Sequence, residues 1–151
     1  MQVAVLDKGM EMNVAKLLGI REKPAGMSPG TAIHSAIRKG LSVSVSDHMR
    51  KILKMSEADF ANLIGVSVST LKRKRQKHER LTSLASDRLY WLAKILSLAT
   101  FVFGREERAG EWIMTPQFAL NNQKPFEMIQ TAAGALQVEA LLYRIEHGVL
   151  L

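Results

Sequence analysis

A run of basic residues that ends a two-helix pattern is the part of this sequence best suited to binding chemistry. Residues 72–80 read KRKRQKHER and hold six Lys or Arg against one Glu. A solvated helix face normally mixes charge signs, because opposite charges three or four residues apart attract. Here like charges lie at that spacing, as Lys72 and Arg75 do. A polyanion such as DNA would relieve the repulsion, with binding that weakens steeply as salt rises.

The residues before this run have the spacing of a helix-turn-helix. Ala61 is small enough for the crossing point of two helices, and Gly65, four residues on, suits the bend between them. Leu71 can anchor the second helix on its inner face. Ser56 and Ser67 suit the N-cap positions, where a serine hydroxyl accepts a hydrogen bond from a backbone N–H. Two ordinary core helices would share this spacing, and the charge of the second helix favours DNA binding over that alternative.

The second helix of such a motif enters the major groove with its N-terminal residues near base edges. The residues predicted to face the bases are Ser67, Ser69, Thr70 and Arg73, and those predicted nearer the phosphates are Lys72, Arg75, Gln76 and Lys77. Arg73 or Arg75 could read a guanine through two hydrogen bonds. Contact with the backbone alone is the alternative, since phosphate contacts are the commoner kind. Helix-turn-helix modules usually read paired half-sites, so we expect a homodimer on operator DNA.

The charge of the chain is divided between two regions. Of the 151 residues, 1–88 carry 16 Lys or Arg and 8 Asp or Glu, a net charge of +8. Residues 89–151 carry 5 and 6, a net charge of −1. A basic half and a nearly neutral half predict two roles, one on nucleic acid and one on another partner.

The other residue types argue against an enzyme. The chain has no cysteine, which fits a reducing cytoplasm. Its four histidines share no metal-ligand spacing, and no phosphate-binding loop or catalytic serine motif is present. No signal peptide and no apolar run near the roughly 20 residues that span a bilayer can be found. We therefore expect no catalytic residue, no metal, no cofactor, no membrane partner and a cytoplasmic location.

The hydrophobic periodicity predicts an all-α fold. Besides the motif within 56–77, the predicted helices cover 10–18, 31–39, 45–53, 84–103, 106–114, 125–133 and 136–147. Residues 1–9 are expected to be a loose start, and 21–30, with two Pro and two Gly, a linker. The alternating residues 41–46 could form a strand. We favour a turn into the next helix, because no partner strand is visible.

The longest predicted helix is apolar enough to be mostly buried. Leu89, Leu92 and Leu96 recur at three- and four-residue steps, and Leu84 is expected to broaden the apolar face. Gly104 ends the helix. It is expected to link the basic half to the neutral half.

The second half adds landmarks whose order is distinctive. They are Ser86-Asp87-Arg88-Leu89, Phe103-Gly104, Trp112 before Pro116, Pro125, Thr131, Gly134, Val138 and Gly148. With Thr70-Leu71-Lys72-Arg73, they make the chain resemble the Xre/MbcA/ParS family of bacterial antitoxins over roughly residues 40–149. The family pattern has glycines where this chain has Asn121-Asn122. Asparagine tolerates left-handed backbone better than other non-glycine residues, so the turn is expected to survive.

The resemblance implies an Xre-like helix-turn-helix domain followed by a small helical toxin-binding domain. The predicted bounds are 1–30 for an N-terminal segment, 31–82 for the DNA-binding domain, and 83–151 for the toxin-binding and dimerisation domain. It further implies an antitoxin that blocks a RES-domain toxin, a class thought to consume NAD, and represses its own operon. A stand-alone regulator whose C-terminal half only dimerises stays open, as does a neutralising partner that no longer reads specific DNA.

The end of the chain is the region predicted to contact the toxin. The predicted residues are Tyr143, Arg144, His147, Gly148, Val149, Leu150 and Leu151. Three apolar residues after a capped helix either pack on their own domain or fill a cleft of the partner. The family resemblance carries most of the argument for the cleft.

Overall fold

The computed structural model describes residues 2–21 and 24–149, and this part of the chain is all-α, as predicted. Its helices are α1 (Gln2–Leu17), α2 (Pro29–Lys39), α3 (Val43–Leu53), α4 (Glu57–Ile64), α5 (Val68–Lys77), α6 (Ser83–Phe103), α7 (Glu106–Ile113), α8 (Pro125–Met128) and α9 (Ala132–Glu146). One 3-10 turn, Phe118–Leu120, lies between α7 and α8. Among these residues no helix is both long and apolar enough to cross a membrane.

Helix α6 is the central element of the fold. It packs against α1, α2 and α4 of the basic half and against α7 and α9 of the neutral half. Leu89, Leu92 and Leu96 are fully buried, and one hydrophobic core runs through both halves, which confirms that α6 links them. Leu84 is 65% exposed, so its predicted place on the apolar face is wrong. It lies three residues before the exposed Asp87, on the solvent side of the helix.

The N-terminal segment is more ordered than the sequence pattern indicates. Helix α1 begins at Gln2, so the predicted loose start over residues 1–9 is wrong for the described residues. Val14 and Leu18 are buried, and Asn13 Nδ2 donates to Ser97 Oγ of α6 at 3.1 Å. These contacts hold the C-terminal part of α1, which the sequence predicts as a helix, against α6.

Residues 41–46 enter a helix rather than a strand, as predicted. Ser42 caps α3 by accepting from the Ser44 N–H at 3.3 Å. The backbone before the cap is tied to the start of α6, because the Leu41 N–H donates to Ser86 Oγ at 2.8 Å. The Leu81 N–H donates to the Leu41 carbonyl, also at 2.8 Å. Leu81, in the connection between α5 and α6, is buried.

The last two helices have different boundaries from those predicted. Helix α8 ends at Met128, and α9 begins at Ala132, where Thr131 caps it by accepting from the Gly134 N–H at 3.0 Å. Gly134 therefore lies inside the first turn of α9 and does not break the chain. A Cβ on Gly134 would lie 2.0 Å from the Met128 carbonyl oxygen, which explains why this position is glycine.

Residues 117–123 form a closed turn, here called the 117–123 turn. The Gln117 N–H donates to the Gln123 carbonyl at 3.1 Å, and the Asn122 N–H donates back to the Gln117 carbonyl at 2.9 Å. Asn121 and Asn122 have φ of +55° and +61°. The expectation that two asparagines can replace glycines in left-handed backbone is confirmed.

Candidate nucleic-acid and toxin interfaces

The helix-turn-helix geometry follows from local chemistry around a left-handed turn. Gly65, at φ +75°, ends α4, and the Val66 N–H donates to the Ala61 carbonyl at 3.0 Å. Ser67 then caps α5 by accepting from the Thr70 N–H at 3.1 Å. Ala61 and Leu71 are buried. The spacing, both serine caps and the inner anchor predicted from sequence are confirmed.

Arg88 of α6 contacts the C-terminal end of α4, next to this turn. Arg88 Nη1 donates to the Leu63 carbonyl, one of the last in α4, at 3.3 Å. A Cβ on Gly65 would lie 2.7 Å from the same nitrogen, so a side chain at this position would require the guanidinium to shift. The sequence marks Arg88 as a landmark but does not reveal this contact.

Five polar residues of α5 form one exposed stripe. They recur at three- and four-residue steps, which places them on one helix face: Ser69, Lys72, Arg73, Gln76 and Lys77. These residues, called the α5 stripe below, are all exposed. Within the described residues, none of its three cations takes part in an ion pair. The stripe therefore presents uncompensated positive charge to solvent.

Arg75, predicted to lie near phosphates, points the other way. It follows Leu71 by four residues and so shares the inward face of α5. Its Nη2 and Nε donate to Asp47 of α3 at 2.8 and 3.2 Å, and its Nη1 donates to Glu57 of α4 at 2.6 Å. The Arg75 hydrogen bond lowers the pKa of Glu57, and the two carboxylates raise that of Arg75. Arg75 thus holds α5 against α3 and α4.

Two further cations of the basic run are also engaged inside the protein. Lys74 Nζ donates to the Arg80 carbonyl at 2.9 Å, and Arg80 Nη1 donates to the Gly40 carbonyl at 3.0 Å. The self-repulsion expected along residues 72–80 is therefore smaller than the sequence indicates. Three of the six cations have internal partners, and the other three belong to the α5 stripe. The spacing from Leu71 is the signal that separates Lys74 and Arg75, three and four residues on, from the stripe, while Arg80 lies beyond the end of α5.

The hydroxyl groups at the N-terminus of α5 hydrogen-bond to one another and to the helix cap. The Ser67 hydroxyl lies 3.1 Å from Ser69 Oγ and donates to Thr70 Oγ1 at 2.8 Å, besides accepting from the Thr70 N–H. Ser67 and Ser69 are exposed and Thr70 is half-buried. Their hydroxyls hold the helix start at the tip of the motif.

The end of α9 carries the residues predicted to contact the toxin. The Gly148 N–H donates to the Ile145 carbonyl at 3.2 Å, and the Val149 N–H donates to the Arg144 carbonyl at 2.9 Å. With Gly148 at φ +67°, this pair of bonds is a Schellman motif. His147 Nδ1 lies 2.7 Å from the Tyr143 carbonyl oxygen. The motif turns the chain sharply at Gly148, and the predicted cap is confirmed.

The exposed side chains here form a short surface. Tyr143, His147 and Val149 are exposed, and Arg144 is half-buried. Leu150 and Leu151, which belong to the same predicted set, lie outside the described residues.

Two family models match consecutive parts of the chain. Residues 32–94 match the antitoxin Xre-like helix-turn-helix domain, and residues 98–148 match the antitoxin Xre/MbcA/ParS C-terminal toxin-binding domain. An antitoxin Xre of Yersinia enterocolitica is 31% identical over 130 residues, which cover 85% of this chain and 88% of the relative. This chain belongs to the Xre/MbcA/ParS family of antitoxins. The resemblance noted in the sequence is thereby confirmed.

Two further relatives extend the similarity over nearly the whole chain. An antitoxin Xre of Pseudomonas putida is 29% identical over 144 residues, 94% of this chain and 87% of the relative. One of Photorhabdus laumondii is 26% identical over 123 residues, 81% and 83% of the two chains. Membership of this family makes the chain a binding and regulatory protein rather than an enzyme, as the sequence predicted.

The two matched domains meet inside α6. The helix-turn-helix match ends at residue 94 and the toxin-binding match begins at residue 98. The boundary expected from sequence, at residues 82–83, lies at the start of this helix, and it stays a prediction. Since α6 is buried against both halves, the family's two modules share one core in this protein.

Proposed function

We propose that this chain is the antitoxin of a type II toxin–antitoxin system in the bacterial cytoplasm. It neutralises a RES-domain, NAD-consuming toxin through its C-terminal domain and represses its own operon through the helix-turn-helix. One observation carries the proposal: the core around α6 joins an exposed basic stripe to a domain of the family's toxin-binding type.

On the DNA side, the α5 stripe is the contact surface. Lys72, Arg73 and Lys77 bind phosphates or base edges in the major groove, with Lys72 and Arg73 nearer the start of the helix than Lys77. Ser67, Ser69 and Thr70 lie at the tip that enters the groove. Arg75 acts indirectly, because its guanidinium is already bound by two carboxylates. A homodimer places two such helices on paired half-sites of the operator.

The toxin is contacted by the end of α9 and by the apolar tail, residues 149–151. The Schellman turn at Gly148 directs the chain away from the helix axis. Tyr143 and His147 lie exposed on the last turn before it. Val149 begins the segment that enters the toxin's cleft, and Leu150 and Leu151 continue it.

Co-expression with the product of the neighbouring reading frame tests this function. The neighbour alone should arrest growth and deplete cellular NAD, and this chain should restore both and co-purify with it. Growth arrest without NAD loss would retain a toxin partner and reject the RES class. If the neighbouring product is harmless and does not bind this chain, the result would favour the alternative, a stand-alone regulator.

Operator binding needs a separate test, because neutralisation does not require it. The chain should bind the DNA upstream of its own gene more tightly than unrelated DNA of equal length. Its affinity should fall with added salt, since each phosphate contact releases counterions. Equal affinity for both DNAs would contradict repression and favour a purely neutralising partner.

A further inference from the structure

Among the side chains of residues 9–21 and 24–149, Phe118 is the most exposed large apolar one. It is 90% exposed, while Leu84, the next in order, is 65% exposed. Single exposed apolar residues are common on protein surfaces, so exposure alone assigns no role. What distinguishes Phe118 is the backbone that carries it.

The 117–123 turn holds Phe118 in one place. Four main-chain hydrogen bonds close the turn besides the Gln117 to Gln123 bond, at 2.9 to 3.1 Å. The Gln117 side-chain amide donates to the Thr115 carbonyl at 3.0 Å, which ties the turn to the end of α7. Leu120, on the inner side of the turn, is buried, and the turn packs against α9. An aromatic ring on such a turn loses little conformational entropy when it binds.

The surroundings of Phe118 indicate a protein partner rather than DNA. Residues 98–148 contain 4 Lys or Arg and 6 Asp or Glu, so phosphates would be repelled from this half. Among residues 9–21 and 24–149, most of the exposed large apolar side chains lie at or beyond residue 101: Phe101, Phe118, Leu136, Tyr143 and Val149. The 117–123 turn also lies wholly within the segment that matches the toxin-binding domain.

We propose that Phe118 is an aromatic anchor that inserts into an apolar pocket of the cognate toxin. The inference rests on the proposed function, and it adds a contact remote in sequence from the C-terminal tail. A rigid turn that presents one ring is the arrangement found at interface hot spots, where a few buried aromatic residues carry most of the affinity. The tail then occupies one site on the toxin, and Phe118 occupies a second.

The test compares Phe118→Ala with Leu84→Ala as a matched control. Both remove an exposed apolar side chain, but Leu84 lies outside the toxin-binding match. Affinity for the purified toxin is measured by biolayer interferometry, alongside thermal unfolding, operator binding and self-association by sedimentation. We expect Phe118→Ala to weaken toxin binding by about 10- to 100-fold, the range of an interface hot spot. Leu84→Ala should leave toxin binding unchanged.

The other outcomes separate this inference from the proposed function. If the unaltered chain binds the toxin and Phe118→Ala binds it equally well, the anchor is rejected and the antitoxin function stands. If Phe118→Ala weakens self-association and leaves toxin affinity intact, the ring belongs to an interface between copies, and the inference is again rejected. If the unaltered chain binds no toxin, the proposed function itself fails. Phe118→Trp should retain tight binding, since it keeps an aromatic anchor on the same turn.

Discussion

The two halves of this protein present different kinds of surface on one shared core. In the helix-turn-helix half, carboxylates of α3 and α4 hold Arg75 inward, and the α5 stripe leaves its cations without ion-pair partners among the described residues. In the toxin-binding half, the exposed side chains include several large apolar ones, with Phe118 the most exposed. Charge steers a protein to a polyanion of uniform shape, whereas apolar anchors select one complementary protein surface. The contrast matches one polyanionic partner and one protein partner.

Removing the apolar tail should have the largest effect on function, and it should separate toxin neutralisation from operator binding completely. Deletion of residues 148–151 is expected to abolish toxin neutralisation, because the Schellman turn and the segment beyond it are lost together. Operator binding should be unchanged, since α5 lies in the other half. Growth rescue and a DNA mobility-shift assay measure the two activities. A truncated protein that still neutralises fully would show that the tail only packs on its own domain.

A change at the turn of the motif tests whether the halves share stability as they share a core. Gly65→Ala places a side chain in left-handed backbone and against Arg88 Nη1, which we expect to cost about 1–3 kcal/mol of unfolding free energy. Because α6 is buried against both halves, thermal unfolding should remain one transition at a lower midpoint. Ala132→Gly, in the first turn of α9, is the comparison in the other half. Two separate transitions would mean that the halves fold independently.

The opposite roles of two neighbouring arginines can be distinguished by salt dependence. Arg73→Ala should weaken operator binding and lower the slope of log affinity against log salt by about one, as loss of a phosphate contact does. Arg75→Ala should also weaken binding, because α5 loses its bonds to α3 and α4, but the salt slope should stay unchanged. Arg75→Lys should rescue little, since an ammonium cannot reproduce the forked bonds. A reduced slope for Arg75→Ala would place its charge on the DNA after all.

The smallest expected effect is on acid stability in the DNA-binding half. The Arg75 hydrogen bond lowers the pKa of Glu57 in the folded state. Glu57 therefore adds stability above its unfolded pKa of about 4.3, and this is lost as pH falls through the lower folded value. For a partly exposed pair the amount is under about 1 kcal/mol. Chemical denaturation from pH 7 to pH 3 should show a smaller loss for Glu57→Gln than for the unaltered chain. Equal losses would contradict the assignment.

Much of the fold could be predicted because its signals are local. Ser56 and Ser67 cap helices through bonds to backbone N–H groups three residues ahead, so the sequence alone reveals where those helices begin. The same holds for the left-handed turn at Gly65. The misplaced elements are less evident from local signals. Helix α1 depends on contact with α6. The start of α9 has a local cap at Thr131, but Gly134 resembles a helix breaker in sequence, and only the close approach of the Met128 carbonyl explains it.

The candidate site was less predictable, for a related reason. The exposed cations Lys72, Arg73 and Lys77 could be found from composition, because surface charge needs no partner. Phe118 was missed, since nothing in an isolated sequence distinguishes a phenylalanine held outward from one that packs in a core. Its exposure follows from the closed turn and from Leu120, which occupies the inward position in its place.

By itself the sequence determined the all-α class, the helix-turn-helix and the basic second helix, because caps, periodicity and net charge act over a few residues. Tertiary structure decided which charges are available. Arg75 is bound by Glu57 and Asp47, 18 and 28 residues away in sequence, and only folding brings them within hydrogen-bond distance. It also decided that the two halves share one core, since the burial of α6 on both sides depends on contacts between helices far apart in the chain.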